Sequence, residues 1–166
     1  PQNYDGSTGG LTTFREGLRK SMNLISVRMV QQDIAPAQQV KQTAKRMGIN
    51  TDIRAVDAIA LGTSEVYPLE MVAAYSALSN KGVYSKPFAI TKIEDRYGNV
   101  IKDYFPNRKE VLSEETSFLM TSMMQTVMDR GTGGSARWKY KFNRPAAGKT
   151  GTTQGWSDAW FVGFTP

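Results

Sequence analysis

The feature that most restricts the fold lies near the C-terminal end, where Arg144 to Thr152 reads as a strand of small residues and Ala159 to Phe164 as an apolar partner. The short polar loop between them, Gly155-Trp156-Ser157-Asp158, makes the two an antiparallel hairpin. The first strand carries Ala146-Ala147-Gly148-Lys149-Thr150-Gly151-Thr152. With so little bulk, it lets a second backbone or a ligand approach closely. Thr150 and Thr152 lie at period 2 and share one face, so Lys149 falls on the other unless the strand twists or sits at an edge. A cation, two hydroxyls and an edge backbone together are suited to holding a carboxylate while a peptide lies alongside as an added strand. A Gly-rich bend in an ordinary hairpin is the plainer alternative, and these residues alone leave both open.

The rest of the chain reads mainly as helices. Residues 1–10 are a Gly, Ser, Asn and Asp loop. Thr13 and Glu16 form a capping box opening a helix to about Arg19. Asn23 is expected to cap a second helix through Gln32, with Ile25, Met29 and Val30 on one face, which leaves Ser21-Met22-Asn23 in the break between the two. Pro36 opens a third helix ending near Gly48, and residues 50–64 are loop with a short helical turn. Pro68 starts a helix from Leu69 to Asn80, closed by Gly82. Phe88 to Asp95 and Val100 to Phe105 flank the turn Tyr97-Gly98-Asn99 as a second hairpin. Ser113 caps a long helix to Arg130, with Phe118, Leu119, Met123, Val127 and Met128 as its apolar face, and Gly131 ends it. The expected class is α+β, an antiparallel sheet flanked by helices in one domain.

Composition narrows the chemistry. The 166 residues contain no Cys and no His. A thiol nucleophile, a disulfide and a zinc–thiolate site are excluded, and acid–base work falls to Lys, Asp, Glu or Tyr. No cofactor or metal is implied. The net charge of +6 is dispersed, and its densest stretch, Arg137-Trp138-Lys139-Tyr140-Lys141, is a solvated loop or strand rather than a nucleic-acid platform. No apolar run approaches the ~20 residues of a membrane span. Pro1-Gln2-Asn3-Tyr4 reads as mid-chain sequence and Phe161 to Pro166 as a strand cut at its exit, so a piece of a longer protein is expected.

Lys149-Thr150-Gly151 and Ser21-Met22-Asn23 match the third and second members of the set Ser-x-x-Lys, Ser-x-Asn and Lys-Thr-Gly. Longer stretches support the match: Gly62 to Met71 with Ala73-Ala74-Tyr75, then Gly131-Thr132-Gly133-Gly134, then Asp158 to Pro166. Together they resemble the transpeptidase domain of bifunctional class A penicillin-binding proteins, members of the serine β-lactamase and D,D-peptidase superfamily. The first motif is absent, because no serine has a lysine three positions on. In the family that motif lies upstream of Ser-x-Asn. The expectation is therefore a partial domain over residues 1–166, without its nucleophile, its C-terminal end or any N-terminal glycosyltransferase and membrane anchor.

The resemblance implies peptidoglycan D,D-transpeptidation through a serine acyl-enzyme. The donor is a stem peptide ending in D-Ala-D-Ala, β-lactams mimic it, and the reaction runs on the cell-wall side of the cytoplasmic membrane. It implies that Ser21 relays a proton, that Lys149 holds Ser21 and supplies positive potential, and that Asn23 donates to the donor peptide's carbonyl. Thr150 and Thr152 would grip the terminal carboxylate, the Thr152 N–H would form half of an oxyanion hole, and Gly151 would let the peptide lie close. A serine β-lactamase or D,D-carboxypeptidase, or a non-catalytic peptide-binding module, remain the alternatives.

Overall fold

The computed structural model describes residues 2–3, 5–8, 10–153 and 157–166. Helices α1 (Phe14–Arg19), α2 (Asn23–Gln31) and α3 (Ala37–Arg46) come first, followed by a 3₁₀ turn, Asp57–Leu61, and by α4 (Pro68–Ser79). Strands β1 (Val83–Ser85), β2 (Lys92–Glu94), β3 (Val100–Asp103) and β4 (Arg108–Glu110) precede the long α5 (Glu114–Arg130) and the one-turn α6 (Ser135–Trp138). The chain closes with β5 (Ala147–Thr152) and β6 (Ala159–Phe164).

Local signals place most boundaries. The Thr13 side chain accepts from the Glu16 N–H and the Ser113 side chain from the Thr116 N–H, so both predicted caps form. Pro68 occupies the first turn of α4, where its missing N–H is not needed. Behind α3, the Ile49 N–H reaches the Ala44 carbonyl and the Gly48 N–H reaches Lys45, with Gly48 at φ +99°, a Schellman ending.

The sheet differs from expectation. Among the described residues the strands form three separate two-stranded antiparallel sheets, β1–β4, β2–β3 and β5–β6, rather than one. The strand expected over Phe88–Asp95 shrinks to Lys92–Glu94, and β1 pairs with β4 across the whole β2–β3 hairpin. That pairing has no local signal, since its partners lie far apart in the chain. The basic pentad is also different, because Arg137 and Trp138 end a helical turn.

α5 is the centre of the molecule. Met124 and Val127 are fully buried, and Met124 shares a cluster with Leu78 of α4 and Ala147 of β5. A second cluster joins Ile49, Ile53 and Ala74. Each large aliphatic side chain among these contributes about 1.5–3 kcal/mol by leaving water. The expected face of α5 is half right. Val127 and Met128 are buried, but Phe118 and Leu119 are 71% and 59% exposed, and Ser117 takes the inner position instead. A small residue is required there because the turn at Gly82 comes directly against it.

Candidate active site

The site starts at the end of α1. The Met22 N–H donates to the Gly17 carbonyl and the Ser21 N–H to Leu18, which makes Ser21 the left-handed residue of a Schellman ending, with φ +54°. Glycine usually fills that position. A serine there costs about 1–2 kcal/mol of backbone strain, and strain of this kind gathers at functional sites. Glu16 does not complete the capping box. Its carboxylate turns to Arg19 at 2.8–3.1 Å, and the Arg19 hydrogen bond holds its pKa below the ordinary value.

Asn23 is not the cap of α2. It is the first helical residue, and Met22 at the cap position makes no side-chain bond. The cap is supplied from a distance, because buried Asn3 accepts from the Leu24 N–H through Oδ1 at 3.1 Å and donates from Nδ2 to the Ser7 carbonyl at 2.7 Å. The Asn23 amide is thereby free of helix duty and donates to the Gln2 backbone carbonyl at 3.0 Å.

α1 is pinned on α5 by Arg15. Its guanidinium donates to the Ser122 carbonyl and the Thr126 hydroxyl, both at 2.8 Å, and to the Ser122 hydroxyl at 3.1 Å. Arg15→Met is expected to lower stability by about 2–3 kcal/mol, since charge-assisted bonds are lost around the buried Thr126. Urea unfolding checks this, and an unchanged midpoint would show that the pin is dispensable.

Lys149 then joins the two motifs. β5 lies along α5 with Ala147 and Gly148 buried. From it the half-buried Lys149 Nζ donates to the Ser21 Oγ at 2.7 Å, across 128 positions of sequence, and to the Thr150 carbonyl at 2.7 Å. Burial pushes the Lys149 pKa below its ordinary value. An ammonium losing its proton here keeps two N–H donors and gains a lone pair beside a serine hydroxyl. Thr150 Oγ1 lies 2.7 Å from Thr132 Oγ1, just beyond the end of α5. The Thr132 N–H donates to the Arg19 carbonyl at 3.2 Å, and Arg19 Nη1 donates to the Arg130 carbonyl at 2.6 Å, so the ends of α1 and α5 are clamped together.

Of the other predicted site residues, Gly151 and Thr152 are exposed near the end of β5, opposite Trp160 and Ala159. The two strand glycines differ in kind. A Cβ on Gly148 would lie 2.4 Å from the tip of the half-exposed Phe161 ring and 3.0 Å from the Val162 carbonyl oxygen, so it fits only if that ring swings aside. A Cβ on Gly151 would meet nothing within 4 Å among the described residues. Thr153 and Asp158 close the hairpin, with the Asp158 N–H donating to Thr153 Oγ1 at 2.9 Å. Gln154, Gly155 and Trp156 lie outside the described residues. A cleft of about 320 Å³ opens beside Ser21, lined among others by Asn3, Lys20, Arg130 and Thr132. Among the described residues no three acidic side chains gather as a metal would need, and no helix is long and apolar enough to cross a membrane.

The structure thus brings Ser21, Lys149 and Thr150 together, with Asn23 two residues past Ser21. Sequence reasoning missed Asn3, Arg15 and Thr132, since each acts through a partner in another segment.

Residues 1–166 match the family model described as the penicillin binding protein transpeptidase domain. The chain is 38% identical over its whole length to penicillin-binding protein 1A of Aquifex aeolicus, of which it spans 22%. To the protein of the same name from Neisseria meningitidis serogroup B it is 36% identical, spanning 21%. The crystal structure of penicillin-binding protein 1A from Haemophilus influenzae superposes with a TM-score of 0.89 at 27% identity, over 99% of this chain and 30% of that one. The fold of the PonA1 protein from Mycobacterium tuberculosis, in complex with penicillin V, is also shared, with a TM-score of 0.80 at 24% identity, over 99% of this chain and 48% of that one.

Proposed function

Because the chain belongs to the penicillin-binding protein transpeptidase family, we propose that, within a longer protein, it forms one wall of a serine acyl-transfer site that cross-links peptidoglycan stem peptides. The observation that carries this reading is the 2.7 Å bond from Lys149 Nζ to Ser21 Oγ, which unites the Lys-Thr-Gly and Ser-x-Asn elements. The nucleophile is a serine of an upstream Ser-x-x-Lys segment, since no serine of this chain has that lysine.

In this reading the upstream serine attacks the penultimate carbonyl of a stem peptide ending in D-Ala-D-Ala, and the terminal D-Ala leaves as an amine. Ser21 carries a proton toward that amine, and Lys149 holds Ser21 and places positive potential at the site. The half-buried position of Lys149 supports this, because burial makes its proton easier to release. Asn23 binds the donor's amide carbonyl, a role supported by the backbone carbonyl its amide already engages. Thr150 and Thr152 grip the terminal carboxylate. The Thr152 N–H forms half of the oxyanion hole, worth about 3 kcal/mol in the transition state. Gly151 leaves room for the donor backbone, which supplies a reason for a glycine that packing among the described residues does not require.

The same geometry accepts a β-lactam, whose ring amide and carboxylate mimic the donor's end. The reaction belongs on the cell-wall side of the cytoplasmic membrane, with a glycosyltransferase domain and a membrane anchor in the upstream part of the protein. No cofactor takes part.

Labelling with a fluorescent penicillin tests the proposal. The full-length protein is expected to form a covalent band that unlabelled penicillin competes away, and the 166-residue chain alone to form none. A labelled band at the mass of the isolated chain, or none in the full-length protein, would overturn the assignment.

A further inference from the structure

We infer that Thr132 is a positioning residue for the site: it donates its hydroxyl proton to Thr150 and so leaves the Thr150 proton directed at an incoming carboxylate. The inference rests on the function proposed above and adds a residue to it. A threonine hydroxyl has one proton and two lone pairs. If Thr150 donates to a substrate carboxylate, its single proton is committed there. It can then meet Thr132 only as an acceptor, and the 2.7 Å contact requires Thr132 to be the donor.

Thr132 is built to hold that orientation. Its own N–H is fixed on the Arg19 carbonyl. The N–H groups of its neighbours, Gly131 and Gly133, both donate to the Val127 carbonyl in the last turn of α5. Three successive backbone amides thus set where Thr132 stands, independently of any ligand. The branched Cβ restricts its side chain further. The two hydroxyl oxygens are therefore held within hydrogen-bond reach before substrate arrives, and once Thr150 donates to the carboxylate the bond it accepts from Thr132 makes it a stronger donor. The same residue ties the two halves of the site together. Through Arg19 it touches the turn that presents Ser21, and through Thr150 it touches the strand that presents Lys149.

A residue acting in this way affects ligands that bear the carboxylate and spares those that do not. The test compares acylation of the full-length protein by a penicillin and by the methyl ester of the same penicillin. Thr132→Val keeps the branched shape and removes the hydroxyl. It is expected to slow the carboxylate-bearing penicillin about 10-fold and to leave the ester within about 2-fold, in line with one lost charge-assisted relay. Thr132→Ser is expected to restore most of the rate. With Thr150 already replaced by valine, Thr132→Val is expected to have no further effect, since the relay then has no receiver.

An equal loss for penicillin and ester would show that Thr132 merely supports the fold and would overturn the inference. So would an unchanged rate in Thr132→Val, or full additivity with Thr150→Val. Failure of the unsubstituted full-length protein to be acylated at all would defeat the proposed function together with this inference. Acylation without carboxylate discrimination defeats the inference alone.

Discussion

Lys149→Met in the full-length protein is expected to slow acylation by penicillin about 10³-fold, the size of loss seen when a group acting on transition-state charge is removed. Methionine refills the half-buried volume, so the loss reflects chemistry rather than collapse. The substitution removes both the Nζ bond to Ser21 and the only cation that contacts that hydroxyl among the described residues. Stopped-flow or gel-based labelling rates measure the effect. A loss under about 10-fold would mean that Ser21 is held and activated by another group.

The same lysine has a pH signature. Burial lowers its folded-state pKa below the ordinary 10.5. Between the folded value and 10.5, the unfolded chain binds a proton that the folded chain does not, so stability rises with pH across that window. Below the folded value both states are protonated, and the burial penalty is constant. Relative to Lys149→Met, the unsubstituted protein should therefore gain stability as pH climbs toward 10.5. Urea midpoints for the pair, measured from neutral to alkaline pH, check the sign. Parallel profiles would contradict it.

Gly82→Ala is expected to destabilise the fold by about 3–4 kcal/mol, because two costs coincide there. Gly82 sits at φ +89°, and an added Cβ would lie 2.0 Å from the Leu112 carbonyl oxygen, a backbone atom that cannot swing aside. The left-handed conformation costs a non-glycine residue about 1 kcal/mol or more, and overpacking adds about 1–3 kcal/mol. The Gly82 carbonyl also accepts from the Val111 and Leu112 N–H groups, so displacement would loosen the segment leading into α5. Gly98 is the internal comparison. At φ +86° it has nothing within 4 Å, and Gly98→Ala should cost only the conformational part. Equal urea midpoints for the two variants would refute the steric argument.

These two glycines mark how far local reasoning reaches. That α4 stops just before Gly82 is legible, although Asn80 is its cap and Lys81, at φ +52°, is the first left-handed residue after it. That Gly82 also buttresses α5 is not, because Leu112 arrives from the far side of the β2–β3 hairpin. The face of α5 follows the same division. Its period is plain from the apolar spacing, yet Phe118 and Leu119 fit that period as well as Ser117 does. Only the partners packed on the helix select the inner stripe. At α2 the start is legible and the capping residue is not, since Asn23 does not cap the helix and Asn3 does so from outside it.

Short-range signals were enough to set the helix starts at Thr13, Pro68 and Ser113, the β5–β6 hairpin and the family, because capping, turn and strand preferences act over a few neighbouring residues. They also placed Ser21 in the break between α1 and α2, and Lys149 on a strand of small residues. The packing of distant segments settled the rest. It made Ser21 and Lys149 one unit at 2.7 Å, lowered the lysine's pKa by burial, and gave Thr150 a partner in Thr132. Those properties belong to pairs of residues more than a dozen positions apart. Hydrogen-bond distance and desolvation come into being only when α1, α5 and β5 are packed together.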